Sequence, residues 1–226
     1  ADLLVTAELS VIGYPPRDLL RRSGVVAACE AAAAELGRAA AAIAPDLTVL
    51  LGHPRAAAGG DRGVRNAITA WRGGRCVAAA DKRLLPGYDV FDEDRWFDPA
   101  PAAAPLLEVA GRRVGLLLCE DLWRGRDAGA ASGGGIDPAG DLLALGAEVL
   151  VAMNASPFVR GKDRRHAALL AETARRGGVV VISVNQVGAD DDLIFDGRSR
   201  VMDAGGACRR MLPAFEEAIE TVPVPE

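Results

Sequence analysis

The sequence predicts a mixed α/β sandwich in one domain, and three observations carry that expectation. Short apolar runs of strand length recur along the chain, and several end abruptly in a polar residue. Helical stretches separate some of these runs, as parallel pairing requires. Others are joined tightly at glycine, as hairpins are. At 226 residues the chain is long enough for one large core. No internal repeat or clean linker divides it.

Leu3–Ala7 reads as a buried strand that delivers Glu8 at its end. Gly13-Tyr14-Pro15-Pro16 is a rigid turn, followed by a short helical turn over Arg17–Arg22. Ser23 is placed to cap an Ala-rich helix from about Gly24 to Ile43, with Pro45 as its stop. Thr48–Gly52 is the next strand, and 54–63 reads as a loop. Asn66–Trp71 and Arg75–Ala80 form a strand pair joined at Gly73-Gly74, the second strand delivering Asp81-Lys82. The long loop 83–105 carries bulky residues, and such a loop is more often functional than filler. Leu106–Val109 and Val114–Cys119 form a hairpin around Gly111. A Gly- and Arg-rich stretch over Arg124–Pro138 reads as mobile, before a helix Pro138–Leu145 and a strand Val149–Met153. An amphipathic helix Lys162–Arg176 closes at Gly177-Gly178. Strand Val179–Val184 then ends in Asn185-Gln186, and Leu193–Asp196 with Arg200–Asp203 reads as a late hairpin around Gly197.

Composition narrows the function classes. Half the residues are hydrophobic and a quarter charged, with net charge −5, which argues against nucleic acid or an anionic membrane as partner. No apolar run approaches the ~20 residues of a membrane span. Cys29, Cys76, Cys119 and Cys208 are scattered without a C-x-x-C pair, which fits reduced thiols in a cytoplasm better than disulfides or zinc. Cys29, Cys76 and Cys208 lack flanking polar motifs and read as packing residues. Asp190-Asp191-Asp192 lacks the glycine-spaced pattern of a calcium loop and reads as a solvated turn, so no metal site is expected.

The stretch V-G-L-L-L-C-E-D-L-W, Val114–Trp123, is the most informative. A strand run ends there in a thiol and two carboxylates, and carboxyl ends of buried strands face the usual site crevice of α/β proteins. Cys119 is either a small core residue or a nucleophile on a rigid element. Glu8 and Lys82 also end strands, with Asn154, Ser156 and Asn185 behind them. Singly, each has a bland reading as a cap or a solvated charge. Together they supply a base for the thiol proton, a cation for a developing oxyanion, and a nucleophile for a carbonyl carbon. The scheme needs no histidine, and His53 and His166 are read as surface or helix-face residues.

The order Glu8, Lys82, Cys119, with P-G-Y after the lysine and C-E-D-L-W at the cysteine, resembles the carbon–nitrogen hydrolase (nitrilase) superfamily. Within it, E-L-S-V-I-G-Y-P-P-R-D-L-L, L-P-G-Y-D-V-F-D-E-D-R-W-F and N-A-S-P-F-V-R-G-K-D-R-R resemble the glutaminase domain of glutamine-dependent NAD synthetases. The resemblance spans nearly the whole chain. It implies a four-layer α-β-β-α sandwich, with Glu8 as general base, Lys82 as oxyanion stabiliser and Cys119 as nucleophile. It further implies a supporting role for Glu93, a second oxyanion donor in the Glu120 amide, and glutamine binding by Tyr88, Ser156 and Lys162.

The same resemblance implies that residues 1–226 form one hydrolase domain lacking its first strand and helix. Glutamine is then the substrate. The partner is an ATP- and Mg-dependent synthetase domain, absent from this chain, that amidates deamido-NAD, and a homo-oligomer is expected. Ser132-Gly133-Gly134-Gly135-Ile136-Asp137 superficially resembles a phosphate loop, but no apolar strand feeds it and no serine follows the aspartate. No cofactor is therefore expected in this domain. Two alternatives stand beside this reading: a free-standing amidase acting on another small amide, and an inactive truncated domain that only packs in an oligomer.

Overall fold

The computed structural model describes residues 1–123 and 135–225. Among these, β1 (Leu3–Val5), β2 (Thr48–Ala56), β3 (Val64–Arg72) and β4 (Arg75–Asp81) form one sheet in that spatial order. β1 runs parallel to β2, while β2, β3 and β4 are antiparallel neighbours. The parallel step is the one that needs a crossover, and helix α1 (Val25–Ile43) supplies it. A second sheet contains β5 (Leu107–Val109), β6 (Arg112–Leu118), β7 (Val149–Asn154) and β8 (Val180–Asn185). β9 (Val187–Asp190) and β10 (Leu193–Asp196) form a separate two-stranded sheet among the described residues. β11 (Arg200–Met202) and β12 (Cys208–Met211) complete the second sheet, whose order is β12-β11-β8-β7-β6-β5. β6, β7 and β8 are parallel, and helices α2 (Pro138–Ala144) and α3 (Lys162–Gly177) sit in their crossovers.

Side-chain alternation explains the stacking. Leu50, Ile68, Ala70 and Ala80 of the first sheet pack against Val114, Leu116, Leu118, Val149, Val151 and Met153 of the second. The opposite face of the second sheet, Leu117, Leu150, Ala152 and Val181, is covered by Leu142 of α2 and by Leu169, Leu170 and Ala174 of α3. The opposite face of the first sheet, Val49, Leu51 and Trp71, lies against Ala33 and Ala40 of α1. This is the four-layer α-β-β-α sandwich. α1 buries Cys29, Ala33 and Gly37, a stripe of small residues at fourfold spacing. A Cβ at Gly37 would stand 2.6 Å from the Trp71 ring, so glycine is what lets helix and sheet approach.

Several elements differ from the sequence reading. β1 stops at Val5, and Glu8 lies in the following turn. Ser23 does not cap α1; Gly24 holds that position at φ +83, a left-handed turn that glycine adopts without strain. β2 runs on to Ala56, so the loop begins later. Pro54 is tolerated there because β1 pairs only as far as Leu50, leaving that side of β2 without a partner strand. The late hairpin around Gly197 does not form: β10 pairs with β9, and β11 with β8 and β12. His53 is not on the surface but 2% exposed inside β2. Cys76 and Cys208 are exposed and do not pack, whereas Cys29 is buried. Asp190-Asp191-Asp192 sits at the β9–β10 turn, with Asp191 paired to Arg17. The stretch read as mobile lies, for residues 124–134, outside the described residues, as do Ser132, Gly133 and Gly134 of the loop resembling a phosphate site. Asp137 caps α2 by accepting from the Gly140 amide.

Candidate active site

The two sheets bring their strand ends together at one point. From the first sheet comes Glu8, in the turn after β1, where Leu9 has φ +50. The Glu8 amide donates to the Asn154 carbonyl at the end of β7 (3.4 Å), and the Ala155 amide donates back to Glu8 Oε2 at 3.0 Å. This reciprocal pair crosses from one sheet to the other. Glu8 Oε1 accepts from Asn66 Nδ2 (2.7 Å) and from Lys82 Nζ (2.8 Å).

Lys82 leaves the end of β4 fully buried, its Nζ also donating to Glu93 Oε1 at 2.8 Å. Burial alone would lower its pKa, but Glu8 and Glu93 more than offset that and hold the ammonium well above the usual lysine value. Glu93 opens a short 3-10 turn, Glu93–Arg95, in the long loop. Its Oε1 additionally accepts from the Tyr14 hydroxyl (2.8 Å), while Oε2 is buried without a hydrogen-bond partner among the described residues. Burial raises Glu93 to about 7 against the pull of Lys82. Tyr14, raised well above its usual value by burial and by Glu93, stays a donor.

Cys119 comes from the second sheet. β6 ends at Leu118, and the chain turns into a 3-10 segment, Cys119–Leu122, with Cys119 itself at φ +40. A non-glycine residue held there is strained by roughly 1–3 kcal/mol, and such strain concentrates at functional sites. Burial and the nearby Glu8 carboxylate push the thiol well above its ordinary pKa; Lys82 and Lys162 pull it back. The resting thiol is therefore protonated.

One wall beside the thiol is polar and aromatic. The Tyr88 hydroxyl donates to Glu120 Oε2 at 3.0 Å, and its ring meets Phe91 edge-on at 5.4 Å. Lys162 Nζ stands 5.8 Å from the Phe91 ring, at the start of α3. Ser156 is anchored through its amide to Asn185 Oδ1 (2.8 Å), on a small cleft it shares with Lys162 and His166. His166 stacks on Trp123, and burial with Arg200 and Lys162 lowers it to about 4, leaving it neutral.

All eight residues singled out in the sequence thus lie around one locus: Glu8, Lys82 and Cys119 just past strand ends, Glu93 reaching them from the long loop, and Tyr88, Glu120, Ser156 and Lys162 along its wall. Tyr14, Asn66 and the Ala155 amide complete the geometry and were not anticipated. A buried asparagine between Arg65 and Ala67 in a strand pattern was the one signal for Asn66.

Comparison with known proteins adds to this geometry. No protein-family model matches the chain. A glutamine-dependent NAD(+) synthetase of Xanthomonas campestris is 39% identical over 216 residues, 95% of this chain and 36% of that protein. The structure of glutamine-dependent NAD+ synthetase from Acinetobacter baumannii superposes with a TM-score of 0.82 at 30% identity, covering 100% of this chain and 42% of that one. The chain is a homologue of glutamine-dependent NAD(+) synthetases. It spans a little over a third of the length of the relatives it matches, 36% in the Xanthomonas case. A nitrilase-superfamily amidase from Nesterenkonia superposes with a TM-score of 0.76 at 22% identity, over 94% of this chain and 74% of its own. The sandwich is thus the nitrilase-superfamily fold. No described helix is long and apolar enough to cross a membrane.

Proposed function

We propose that this chain is a glutaminase: it hydrolyses the side-chain amide of glutamine at Cys119 and supplies the ammonia to an ATP-dependent synthetase domain that amidates deamido-NAD. The observation that carries the reading is the meeting of Glu8, Lys82 and the strained Cys119 at facing strand ends, in a homologue of glutamine-dependent NAD(+) synthetases. In this proposal ATP and magnesium are used by the synthetase domain and not by residues of this chain.

Cys119 Sγ attacks the amide carbonyl carbon while Glu8 takes the thiol proton. Lys82 Nζ and the Glu120 amide stabilise the oxyanion. The carbon–nitrogen bond breaks as Glu8 returns the proton to the leaving nitrogen, which departs as ammonia and leaves a thioester. Water then attacks the thioester with Glu8 again as base, releasing glutamate and the thiol. Three hydrogen bonds fix Glu8 for both steps, two on Oε1 and one on Oε2. Tyr88, Glu120 and Lys162 supply a donor, an anion and a cation, a set that suits a zwitterionic amino acid better than a simple aliphatic amide.

The test is ammonia release from glutamine by the chain and by Cys119→Ala, with asparagine and aliphatic amides as rivals. Glutamine turnover lost in Cys119→Ala is the expected result. Turnover of other amides but not glutamine would move the chain to the free-standing amidases. An inert Cys119 towards both substrates and alkylating reagents would leave only a packing role.

A further inference from the structure

Asp121 takes no part in the chemistry above, yet its carboxylate is 4% exposed and fully engaged. Oδ1 accepts from the amides of Arg83 (3.1 Å) and Leu84 (2.9 Å), and Oδ2 from the amide of Leu118 (3.2 Å). The Arg83 guanidinium turns away to Asp141, so main-chain donors hold this carboxylate. Burial raises its pKa to about 6, with Leu84 and Lys82 pulling the other way. Keeping a charge there at neutral pH is therefore costly.

The three amides have a common feature. Arg83 and Leu84 directly follow Lys82 as the chain leaves the first sheet. Leu118 directly precedes Cys119 at the end of β6 in the second. The Lys82 backbone is already pinned within its own layer, its amide donating to Asn66 O (2.8 Å) and its carbonyl accepting from the Ala100 amide (2.9 Å). Its placement relative to the second sheet is what the Asp121 carboxylate controls. On the other flank, Glu8 has its own tie across the sheets through Asn154 and Ala155.

Resting on the amidohydrolase reading of the site, we infer that Asp121 is a positioning residue that sets the separation of Lys82 and Cys119 by holding the backbone beside each on one carboxylate. Only a group accepting at both oxygens can do this. Asparagine keeps the volume and one oxygen but turns an NH2 group towards a backbone N–H.

The test uses Asp121→Asn, and Asp121→Glu, which keeps the charge but moves it by one methylene. Ammonia release and the pH dependence of iodoacetamide alkylation at Cys119, followed by mass spectrometry, are measured for both. A misplacement of about 1 Å costs about a hundredfold, so kcat is expected to fall about 10- to 100-fold with KM within about threefold. The pH midpoint of alkylation should rise in both variants, because a displaced Lys82 leaves Glu8 and Glu120 opposed near the thiol only by Lys162. A carboxylate acting solely through its charge gives the reverse sign in Asp121→Asn and no change in Asp121→Glu. That pattern, or an unaltered kcat, overturns the inference.

Alkylation does not depend on glutamine turnover. A wild-type chain that releases no ammonia therefore counts against the glutaminase reading alone, and the alkylation midpoint still decides Asp121. If neither variant is recovered folded, hydrogen exchange on the wild type decides instead. The amides of Arg83, Leu84 and Leu118 are expected to be protected together, and free exchange at Arg83 and Leu84 would refute the tie.

Discussion

The two faces of β3 carry buried polar groups that are finished in different ways. On the face towards α1, Trp71 Nε1 donates to Thr69 Oγ1 (2.8 Å), Thr69 Oγ1 meets His53 Nε2 (2.9 Å), and His53 Nδ1 meets the Pro54 carbonyl (2.9 Å). A carbonyl only accepts, so Nδ1 carries the proton, Nε2 accepts from Thr69, and the chain of bonds closes. On the face towards the second sheet, Asn66, Glu8, Lys82 and Glu93 are joined, yet Asn66 Oδ1 and Glu93 Oε2 are buried without partners among the described residues. A closed network rigidifies a sheet, whereas one with spare acceptors next to a strained thiol has capacity for chemistry.

If that contrast is right, the largest loss comes from Lys82→Met. The substitution removes the cation shared by Glu8 and Glu93, leaves two buried carboxylates facing each other, and deletes the oxyanion stabiliser proposed above. Glutamine turnover should fall by about a thousandfold or more. Glu93, already raised by burial, should rise further without its cation, so the variant should melt higher at pH 5 than at pH 8. A thermal melt that is flat with pH would show that the two carboxylates are not coupled through Lys82.

Glu93→Gln sharpens the point. Below about pH 7 Glu93 is protonated, and Lys82 is then drawn towards Glu8, which weakens Glu8 in its proposed role as base. The wild-type kcat should accordingly rise with pH through about 7. In Glu93→Gln kcat should be about 10- to 100-fold lower, with that limb gone. Persistence of the limb would assign it to another group, Asp121 being the next candidate at about 6. The same carboxylate has a stability signature of fixed sign. Its folded pKa lies above the unfolded value, so its contribution is present at low pH and is lost as pH rises through about 7. His53, lowered by burial, behaves oppositely: stability falls as pH drops below about 6.5, where the unfolded chain takes up the proton.

Much of this site was legible in the sequence because chemistry at strand ends leaves a local mark. Glu8, Lys82 and Cys119 each interrupt or follow an apolar run, and the resemblance of their flanking motifs placed Glu93, Tyr88, Ser156 and Lys162. What escaped was non-local. Tyr14 is 79 positions from the Glu93 it serves, and Asn66 is 58 from Glu8. The same cause misassigned the late hairpin. Gly197 does turn the chain at φ +65, but β11 finds its partner in β8, and β10 in β9. His53 looked like a surface residue because nothing adjacent reveals that Thr69 stands across the strand pair to satisfy it.

A smaller effect is expected where the two sides of the sheet meet the Glu8 turn. A Cβ on Gly52 would lie 2.6 Å from both Ala7 O and Leu9 N, backbone atoms on either side of Glu8. Gly52→Ala must displace that turn, and with it Glu8, the proposed base. About a tenfold loss in kcat with little change in KM is expected, together with a melting temperature several degrees lower. A variant that loses stability but keeps its full kcat would show that the Asn66 and Ala155 bonds hold Glu8 without help from the turn.

The smallest catalytic effect should come from the closed network. Thr69→Val keeps the shape of the side chain but removes both a donor and an acceptor. It strands His53 Nε2 in a site 2% exposed and leaves Trp71 Nε1, at the half-buried rim, to find water. An unpaired buried acceptor costs about 1–3 kcal/mol, a fall of roughly 2–4 °C in Tm per kcal/mol for a domain of this size. Turnover at 25 °C should stay within about twofold of the wild type, because Asn66, Ile68 and Ala70, residues of β3 that face the other sheet, are untouched. A large drop in kcat from Thr69→Val would mean that the strand transmits disorder from one face to the other, and that a closed hydrogen-bond chain on the α1 side is itself a condition for holding Glu8 and Lys82 in place.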